Sequence, residues 1–209
     1  MKSSITWDFN LCITILSCVI TAISLMCAFF QSIQAKKAKK ALKSITWNDM
    51  QKASAQITRK LIKKNPPAVI YIPNIKSGIM LQFIRNYFKQ YIPVVVGHTI
   101  PKEDFKQKDC NNIKKLEDYW YVDTQKWYAY IPKILLEYKG QNILILDNVS
   151  LTGNFLESVT DELVRQGIPR KNIITACVAT TEAAIRDKVA PNYYYRQLTD
   201  SKTVYMPWA

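Results

Sequence analysis

The sequence predicts an α/β domain built on a parallel sheet and preceded by a single transmembrane helix. Over the last two thirds of the chain, short β-branched runs alternate with stretches of helical spacing, which is typical of a parallel sheet covered on both faces. Near the start, residues 9–30 are 22 consecutive residues without a charge. The predicted organisation is a transmembrane helix over residues 1–35, a basic helical linker over residues 36–66 and the α/β domain over residues 67–209.

The uncharged run is long enough to cross a bilayer once. Its 22 residues rise about 1.5 Å each, which matches a hydrocarbon core about 30 Å thick. The run is longer than the apolar region of a signal peptide, so we expect an uncleaved anchor. The basic flank follows the run, so the positive-inside rule places the N-terminus outside and the domain in the cytoplasm, at the inner or plasma membrane. The flank consists of Lys36, Lys37, Lys39, Lys40 and Lys43.

Small or polar side chains recur every three or four residues in this run and form one stripe along a helix. Such side chains let membrane helices approach closely and hydrogen-bond, so the stripe predicts a homo-oligomer. The alternative is that the hydroxyls bond back to their own helix and face lipid. The stripe comprises Asn10, Thr14, Ser17, Thr21, Ser24 and Ala28 and continues through Gln31 and Ala35.

Composition excludes wholesale disorder, a collagen-like chain and a low-complexity chain. Apolar residues make up 48% of the 209 residues and charged residues 22%, which is ordinary globular usage. The net charge of +13 is explained more simply by cations facing anionic lipid than by nucleic acid, although the basic and aromatic segment over residues 102–130 is a weaker candidate for nucleic-acid binding. Only Cys110 and Cys177 lie beyond the run, without the spacing of a metal site.

Prolines, glycines and periodicity divide the remaining chain into elements. Pro66 and Pro67 end the linker, and residues 98–130 are predicted to form a loop followed by a hairpin. Strands are predicted over residues 68–72, 93–97, 143–146 and 172–179, and helices over residues 77–90 and 154–166.

The most informative segment follows the third predicted strand. That buried strand ends at Asp147, and a loop containing hydroxyl groups and a glycine then opens a helix. Ligands bind at the carboxyl ends of parallel strands, and the N–H groups of a helix N-terminus favour phosphate. The pattern therefore predicts an anion site at residues 150–154 with Asp147 at its edge. The alternative is an ordinary turn with Thr152 or Asn154 as the helix N-cap.

This segment resembles the signature of the type I phosphoribosyltransferases, an apolar strand, two acidic residues, three further residues and Thr-Gly-x-Thr. The resemblance covers residues 68–208 and includes an aromatic tail similar to that of xanthine- and hypoxanthine-type members. It implies a phosphoribosyl pyrophosphate or nucleotide ligand, with Mg²⁺ as cofactor. By resemblance, the phosphate and ribose site comprises Asp147, Asn148, Ser150, Leu151, Thr152, Gly153 and Asn154, and the pyrophosphate loop comprises Lys76, Ser77 and Gly78.

The departures from that family concern catalysis and the base. Asn148 replaces the second carboxylate and Phe155 the last threonine, while Leu151 stands where several purine-using members have an acidic residue. Residues 179–181 end the fourth predicted strand without the lysine that purine members direct at the base. What survives holds a ribose phosphate and does not choose a base.

These features favour a membrane-anchored, degenerate phosphoribosyltransferase that acts as a sensor or effector. By analogy, its layout resembles bacterial defence effectors that damage their own membrane. The alternative is an active, membrane-tethered phosphoribosyltransferase that acts on an unidentified base. The lone histidine, His98, and the aromatic run over residues 193–195 are expected to be structural rather than catalytic.

Overall fold

The computed structural model describes residues 9–41, 44–104, 117–199 and 204–208, and within the first range it describes side chains at residues 17–33. The chain divides into two compact units, Met1–Lys43 and Ser44–Ala209. The first unit contains helix α1, Phe9–Ala41.

The predicted transmembrane helix receives no support from the structure. Within the described ranges, no helix combines the length and the apolar character that a membrane crossing requires. In the predicted stripe, the side chains of Asn10 and Thr14 lie outside the described residues, and those of Ser17, Thr21, Ser24 and Ala28 are exposed. The hydroxyl of Thr21 donates to the carbonyl of Ser17 at 2.9 Å, which is the bond back to the same helix that the alternative reading expects.

The second unit begins with a helix of the core rather than a linker. Helix α2, Trp47–Lys64, is opened by a capping box in which Thr46 and Asp49 each accept the other's backbone N–H, at 3.1 and 2.9 Å. The segment predicted as a linker, residues 36–66, therefore contains the start of a new helix at this cap. The Lys- and Ala-rich composition did not indicate that α2 has a buried face. The buried residues recur every three or four positions and comprise Met50, Ala53, Ser54, Ile57, Thr58 and Leu61.

The centre of this unit is a five-stranded sheet in the order β2-β1-β6-β7-β8, with every pair parallel. The predicted parallel α/β fold is thus confirmed. The strands in chain order are β1 (Val69–Ile72), β2 (Val94–Val96), β3 (His98–Pro101), β4 (Tyr119–Asp123), β5 (Trp127–Pro132), β6 (Ile143–Ser150), β7 (Ile173–Thr181) and β8 (Tyr193–Leu198).

Two cores lie on opposite faces of this sheet. Alternate strand residues such as Ile70 and Leu144 pack with α2 and with helix α3, Gly78–Arg85. Their neighbours, Tyr71 and Ile145, pack on the other face with helix α4, Asn154–Arg165. This alternation follows from the two-residue period of a strand. A last short helix, α5, spans Glu182–Arg186.

An antiparallel sheet in the order β3-β5-β4 covers the α4 face, where a loop and a hairpin were predicted. Its additional strand, β3, begins at His98, whose ring centroid lies 6.3 Å from that of Tyr130. In the last strand of the large sheet, Tyr193 and Tyr195 pack against the core, as expected of structural aromatic residues.

Two isoleucines of α2 test whether this helix belongs to the core. We expect Ile57→Ala to lower the free energy of unfolding by about 2–5 kcal/mol, because the side chain is fully buried and its loss leaves a cavity. The matched change Ile62→Ala, on the same helix at 48% exposure, should be nearly neutral. Urea denaturation of both variants measures the difference, and equal effects would place α2 outside the core.

Candidate functional site

The order of the strands creates a crevice between β1 and β6. After β1 the chain moves to one edge of the sheet, and it later returns on the other side of β1 as β6. The register of this pair ends with Tyr71 opposite Ile145, but β6 continues to Ser150. Among the described strands, none therefore lies beside the last residues of β6 on the β1 side. A reversal of strand order of this kind is where open α/β sheets bind ligands.

Asp147 lies inside this crevice and links its two sides. It was predicted at the end of a strand, but β6 runs three residues further, to Ser150. One carboxylate oxygen, Oδ1, accepts the hydroxyl of Ser77 at 2.9 Å and the N–H of Asn148 at 2.7 Å. Ser77 belongs to the turn that follows β1, so this bond joins that turn to β6.

The carboxyl of Asp147 is partly buried. Burial raises its pKa above the usual 3.8, and its bonds from the Asn148 N–H and the Ser77 hydroxyl oppose this rise. Burial, and after it the nearby Asp147 carboxylate, also raise the pKa of the Tyr71 hydroxyl and of the Cys177 thiol. A desolvated carboxylate in a crevice is more typical of a binding site than of a packed core.

Strand β6 is irregular at Asp147 and Asn148. Leu146 and Val149 both contact the core on the α2 side although they are three residues apart, so the strict alternation of faces is interrupted between them. The side-chain oxygen of Asn148, Oδ1, is buried and has no hydrogen-bond partner among the described residues. A buried amide oxygen without a donor is costly and calls for an explanation, such as a bound group.

The predicted anion loop connects β6 to α4. Gly153 is the N-cap of α4 with φ of 77°, and no side chain caps the helix. The alternative in which Thr152 or Asn154 caps the helix is therefore wrong, and both side chains are exposed. The hydroxyl of Ser150 is buried and, within the described part of the chain, unpartnered. This loop thus presents free N–H donors and an unused hydroxyl.

Two threonines at the end of β7 hold the loop in place. The hydroxyl of Thr180 donates to the Ser150 carbonyl at 3.1 Å, and that of Thr181 donates to the Leu151 carbonyl. Because the C=O and N–H of a trans peptide point in opposite directions, the N–H groups of Leu151 and Thr152 point away from these threonines. That side of β6 is the crevice.

Gly153 is required by packing rather than by a ligand. Its φ lies in the left-handed region, and a Cβ at this position would come within 2.2 Å of the carbonyl oxygen of Val189. Val189 follows α5, so the loop is pressed against that segment. A side chain at Gly153 would therefore disturb the fold itself.

Backbone N–H groups of the predicted pyrophosphate loop form hydrogen bonds within the loop itself. The side-chain oxygen of Asn74 accepts the N–H groups of Lys76 at 2.9 Å and Ser77 at 3.3 Å, so these donors are not free. Ser77 is buried, and Gly78 begins α3. Lys76 remains exposed, and its ammonium group is the cation that this turn offers to an anion.

The first turn of α4 carries one acidic residue that would repel a phosphate. Glu157 is paired with Arg170, whose guanidinium donates to it at 2.6 Å and to Asp161 at 2.7 Å. This pairing offsets the negative charge near the helix N-terminus, where the partial positive charge of the helix dipole favours an anion.

The residues present fit Mg²⁺ only in combination with a ligand. Among the described residues, no three acidic, histidine or cysteine side chains are clustered as a metal site. The Asp147 carboxylate and the unpartnered Asn148 oxygen are hard oxygen donors of the type that Mg²⁺ takes. Mg²⁺ commonly completes its shell with waters and ligand phosphates, so two protein oxygens are compatible with it.

Solved structures with this topology identify the fold. A purine phosphoribosyltransferase from Pyrococcus horikoshii is 23% identical with a TM-score of 0.52, over 80% of this chain and 93% of that one. The fold is that of the type I phosphoribosyltransferases. A xanthine-guanine-hypoxanthine phosphoribosyltransferase from Helicobacter pylori is 16% identical (TM-score 0.52, 79% and 92% covered). A hypoxanthine phosphoribosyltransferase from Staphylococcus aureus is 12% identical (TM-score 0.53, 75% and 76% covered).

The similarity to these proteins is one of fold and not of sequence. No family model matches the chain, and a search of curated proteins finds no match. The predicted site residues from Asp147 to Asn154 lie at the end of β6 and in the loop that leads to α4, and Ser77 bonds to Asp147 from the turn after β1. Sequence reasoning missed Asn74, Thr180 and Thr181 as loop supports. The signal for the threonines was two polar residues at the end of an otherwise apolar strand.

Replacing Asp147 tests the cost of its burial. Its raised pKa stabilises the fold below pH 3.8, and this contribution is lost as the pH rises through the higher folded-state value. Asp147→Asn keeps an oxygen that can accept both hydrogen bonds but carries no charge. We therefore expect the variant to have a higher free energy of unfolding than the parent at pH 7, and we expect the difference to shrink towards pH 3. Denaturation at several pH values measures this, and a difference that does not depend on pH would contradict it.

Proposed function

We propose that the chain binds a phosphoribosyl ligand, either phosphoribosyl pyrophosphate or a nucleotide, in the crevice between β1 and β6. The 5-phosphate would lie on the loop over residues 150–154, and the ribose hydroxyls beside Asp147. The observation that supports this most is the hydroxyl of Ser150, which is buried, has no hydrogen-bond partner among the described residues and lies four residues before the uncapped α4. Buried polar groups are normally satisfied, and a phosphate would accept from both the hydroxyl and the helix amides.

Binding of the phosphate needs no proton transfer. The amides of Leu151 and Thr152 would donate to it, since the threonines of β7 hold the paired carbonyls on the opposite side. The exposed hydroxyl of Thr152 is within the same loop, and the dipole of α4 adds a partial positive charge. Lys76, across the crevice, would add a full charge. Mg²⁺, when bound, would neutralise further phosphate charge beside Asp147 and Asn148.

The proposed role is recognition rather than turnover. The crevice has one carboxylate where the related signature has two, because Asn148 is neutral. Thr180 and Thr181 lie at the carboxyl end of β7, and their hydroxyls donate to carbonyls of the loop. Both residues are nearly inaccessible, at 0% and 3% exposure. They offer nothing to a base. A site that reads ribose and phosphate without the base is suited to a sensor or effector.

Membrane attachment and self-association belong to the proposal on sequence grounds. Residues 9–30 carry no charge and are followed by five lysines within residues 36–43, which supports a membrane location with the second unit in the cytoplasm. The small and polar stripe in this run supports a homo-oligomer. A role in bacterial defence has no support in the structure and is not part of the proposal.

Calorimetric titration of the full chain in detergent with phosphoribosyl pyrophosphate and Mg²⁺ tests the site. We expect Ser150→Ala to weaken binding at least about tenfold, because a hydrogen bond to a charged group is lost. The same change should not lower the unfolding midpoint, because the hydroxyl has no partner in the described protein. Ribose 5-phosphate should compete, because it carries the same phosphate.

Ser158→Ala is the matched control for this titration. Its hydroxyl lies on α4, near the same loop, and donates to the Asn154 carbonyl at 2.8 Å within the helix. Affinity should be unchanged in this variant. No binding by the parent protein, or equal losses in the two variants, would refute the site. Release of pyrophosphate during the titration would instead support the alternative of an active transferase.

A further inference from the structure

The outward face of α2 is strongly cationic. Its exposed positions include Lys52, Arg59, Lys60, Lys63 and Lys64, and none is acidic. At 3.6 residues per turn, the first two and Lys63 lie within about 40° of one another around the helix axis. From Lys52 to Lys63 this row extends about 16 Å at the usual helical rise.

These cations are little compensated within the described protein, where the Asp49 carboxylate interacts with Lys52. The helix has a single carboxylate, that of Asp49, which lies at its first turn and contacts Thr46 and Arg196. None of the five cations forms an ion pair with any residue that the structure describes. Like charges four residues apart, such as Arg59 and Lys63, repel and weaken a helix. A face with this excess of positive charge is complementary to an anionic partner.

The same face of α2 borders a surface cavity. Its volume is about 640 Å³, and it lies between α2 and β8. The small side chain of Ala55 leaves the space, and Tyr195 of β8 borders it. The remaining lining residues are Lys52, Gln56, Arg59 and Lys60. A phosphate-bearing headgroup would meet cations at the rim and an aromatic side chain beside them.

Exposed apolar side chains beside the cations favour a lipid surface over a nucleic acid. Ile62 is 48% exposed and lies on the side of α2 that adjoins Arg59, and Trp47, at the start of the helix, is 50% exposed and packs against Phe83 and Trp208. Cations mixed with tryptophan and aliphatic side chains are typical of membrane-interface helices. Only five residues separate α2 from α1, and the preceding segment is also rich in lysine.

We propose that the outward face of α2, with the cavity beside Tyr195, binds the surface of an anionic phospholipid bilayer. The attraction comes from several cations near negatively charged headgroups, each of which adds to the surface affinity. The interaction is separate from the crevice, so either can fail without the other. It would orient the second unit on the membrane and keep it there without an additional protein.

Residue-resolved lysine acetylation tests the proposal on the full chain. Protein is mixed with vesicles of phosphatidylcholine alone, or with one quarter phosphatidylglycerol, and modified lysines are quantified by mass spectrometry. We expect Lys52, Lys60, Lys63 and Lys64 to lose reactivity only with the anionic vesicles, and to regain it in high salt. Lys126 and Lys133, which are exposed on the opposite side of the large sheet, are internal controls and should not change.

Two charge-neutral variants complete the test. In Lys52→Gln/Arg59→Gln/Lys60→Gln, the remaining Lys63 and Lys64 should lose their protection, whereas Lys126→Gln/Lys133→Gln should retain it. Equal reactivity in both kinds of vesicle, or equal protection in both, would overturn the proposal. Protection by an oligonucleotide without protection by anionic vesicles would overturn it in favour of nucleic acid. If the protein does not co-float with the phosphatidylcholine vesicles in a density gradient, this result contradicts only the membrane anchor. The acetylation pattern with the anionic vesicles still tests the α2 face.

Discussion

The hydrogen bond from Ser77 to Asp147 joins the two walls of the crevice. One partner lies on the turn after β1, and the other lies within β6, 70 residues later in the chain. This single contact brings the predicted pyrophosphate turn against the predicted ribose residue. It also holds a carboxylate where burial raises its pKa, so the fold accepts an electrostatic cost at this position. The geometry of the remaining site depends on this contact because α3 begins directly after Ser77.

Two of the buried side-chain oxygens without a described hydrogen-bond partner lie close to Asp147 in the chain. The oxygens of Asn148 and Ser150 lack partners in the described structure, and both are buried within six residues of the first residue of α4. Each such group costs free energy that a hydrophobic residue of similar size would not. Near the uncapped N-terminus of α4, the Ser150 hydroxyl can donate to the oxygens of a bound anion, whereas the Asn148 amide oxygen can only accept and would meet a hydroxyl group of the ligand or a metal ion.

Sequence patterns predicted the strands and the loop because these depend on local signals. An apolar run followed by Asp147 and a glycine indicates a strand, a carboxylate and a turn without reference to other segments. The position of α2 depended instead on tertiary packing. Its lysines suggested a surface helix, while buried residues such as Ser54 and Thr58, which are polar in sequence, obscured its apolar face. The same holds for Thr180 and Thr181, since their role comes from a neighbouring strand whose register no short motif encodes.

Phosphate binding by the loop between β6 and α4 is the central proposal for this protein. Amide hydrogen exchange of the full chain, with and without phosphoribosyl pyrophosphate and Mg²⁺, tests this most directly, because it reads each backbone donor separately. We predict slower exchange at the amides of Leu151, Thr152 and the first turn of α4, with little change in β8. Unchanged exchange across residues 150–156, or protection confined to another surface, would contradict the claim.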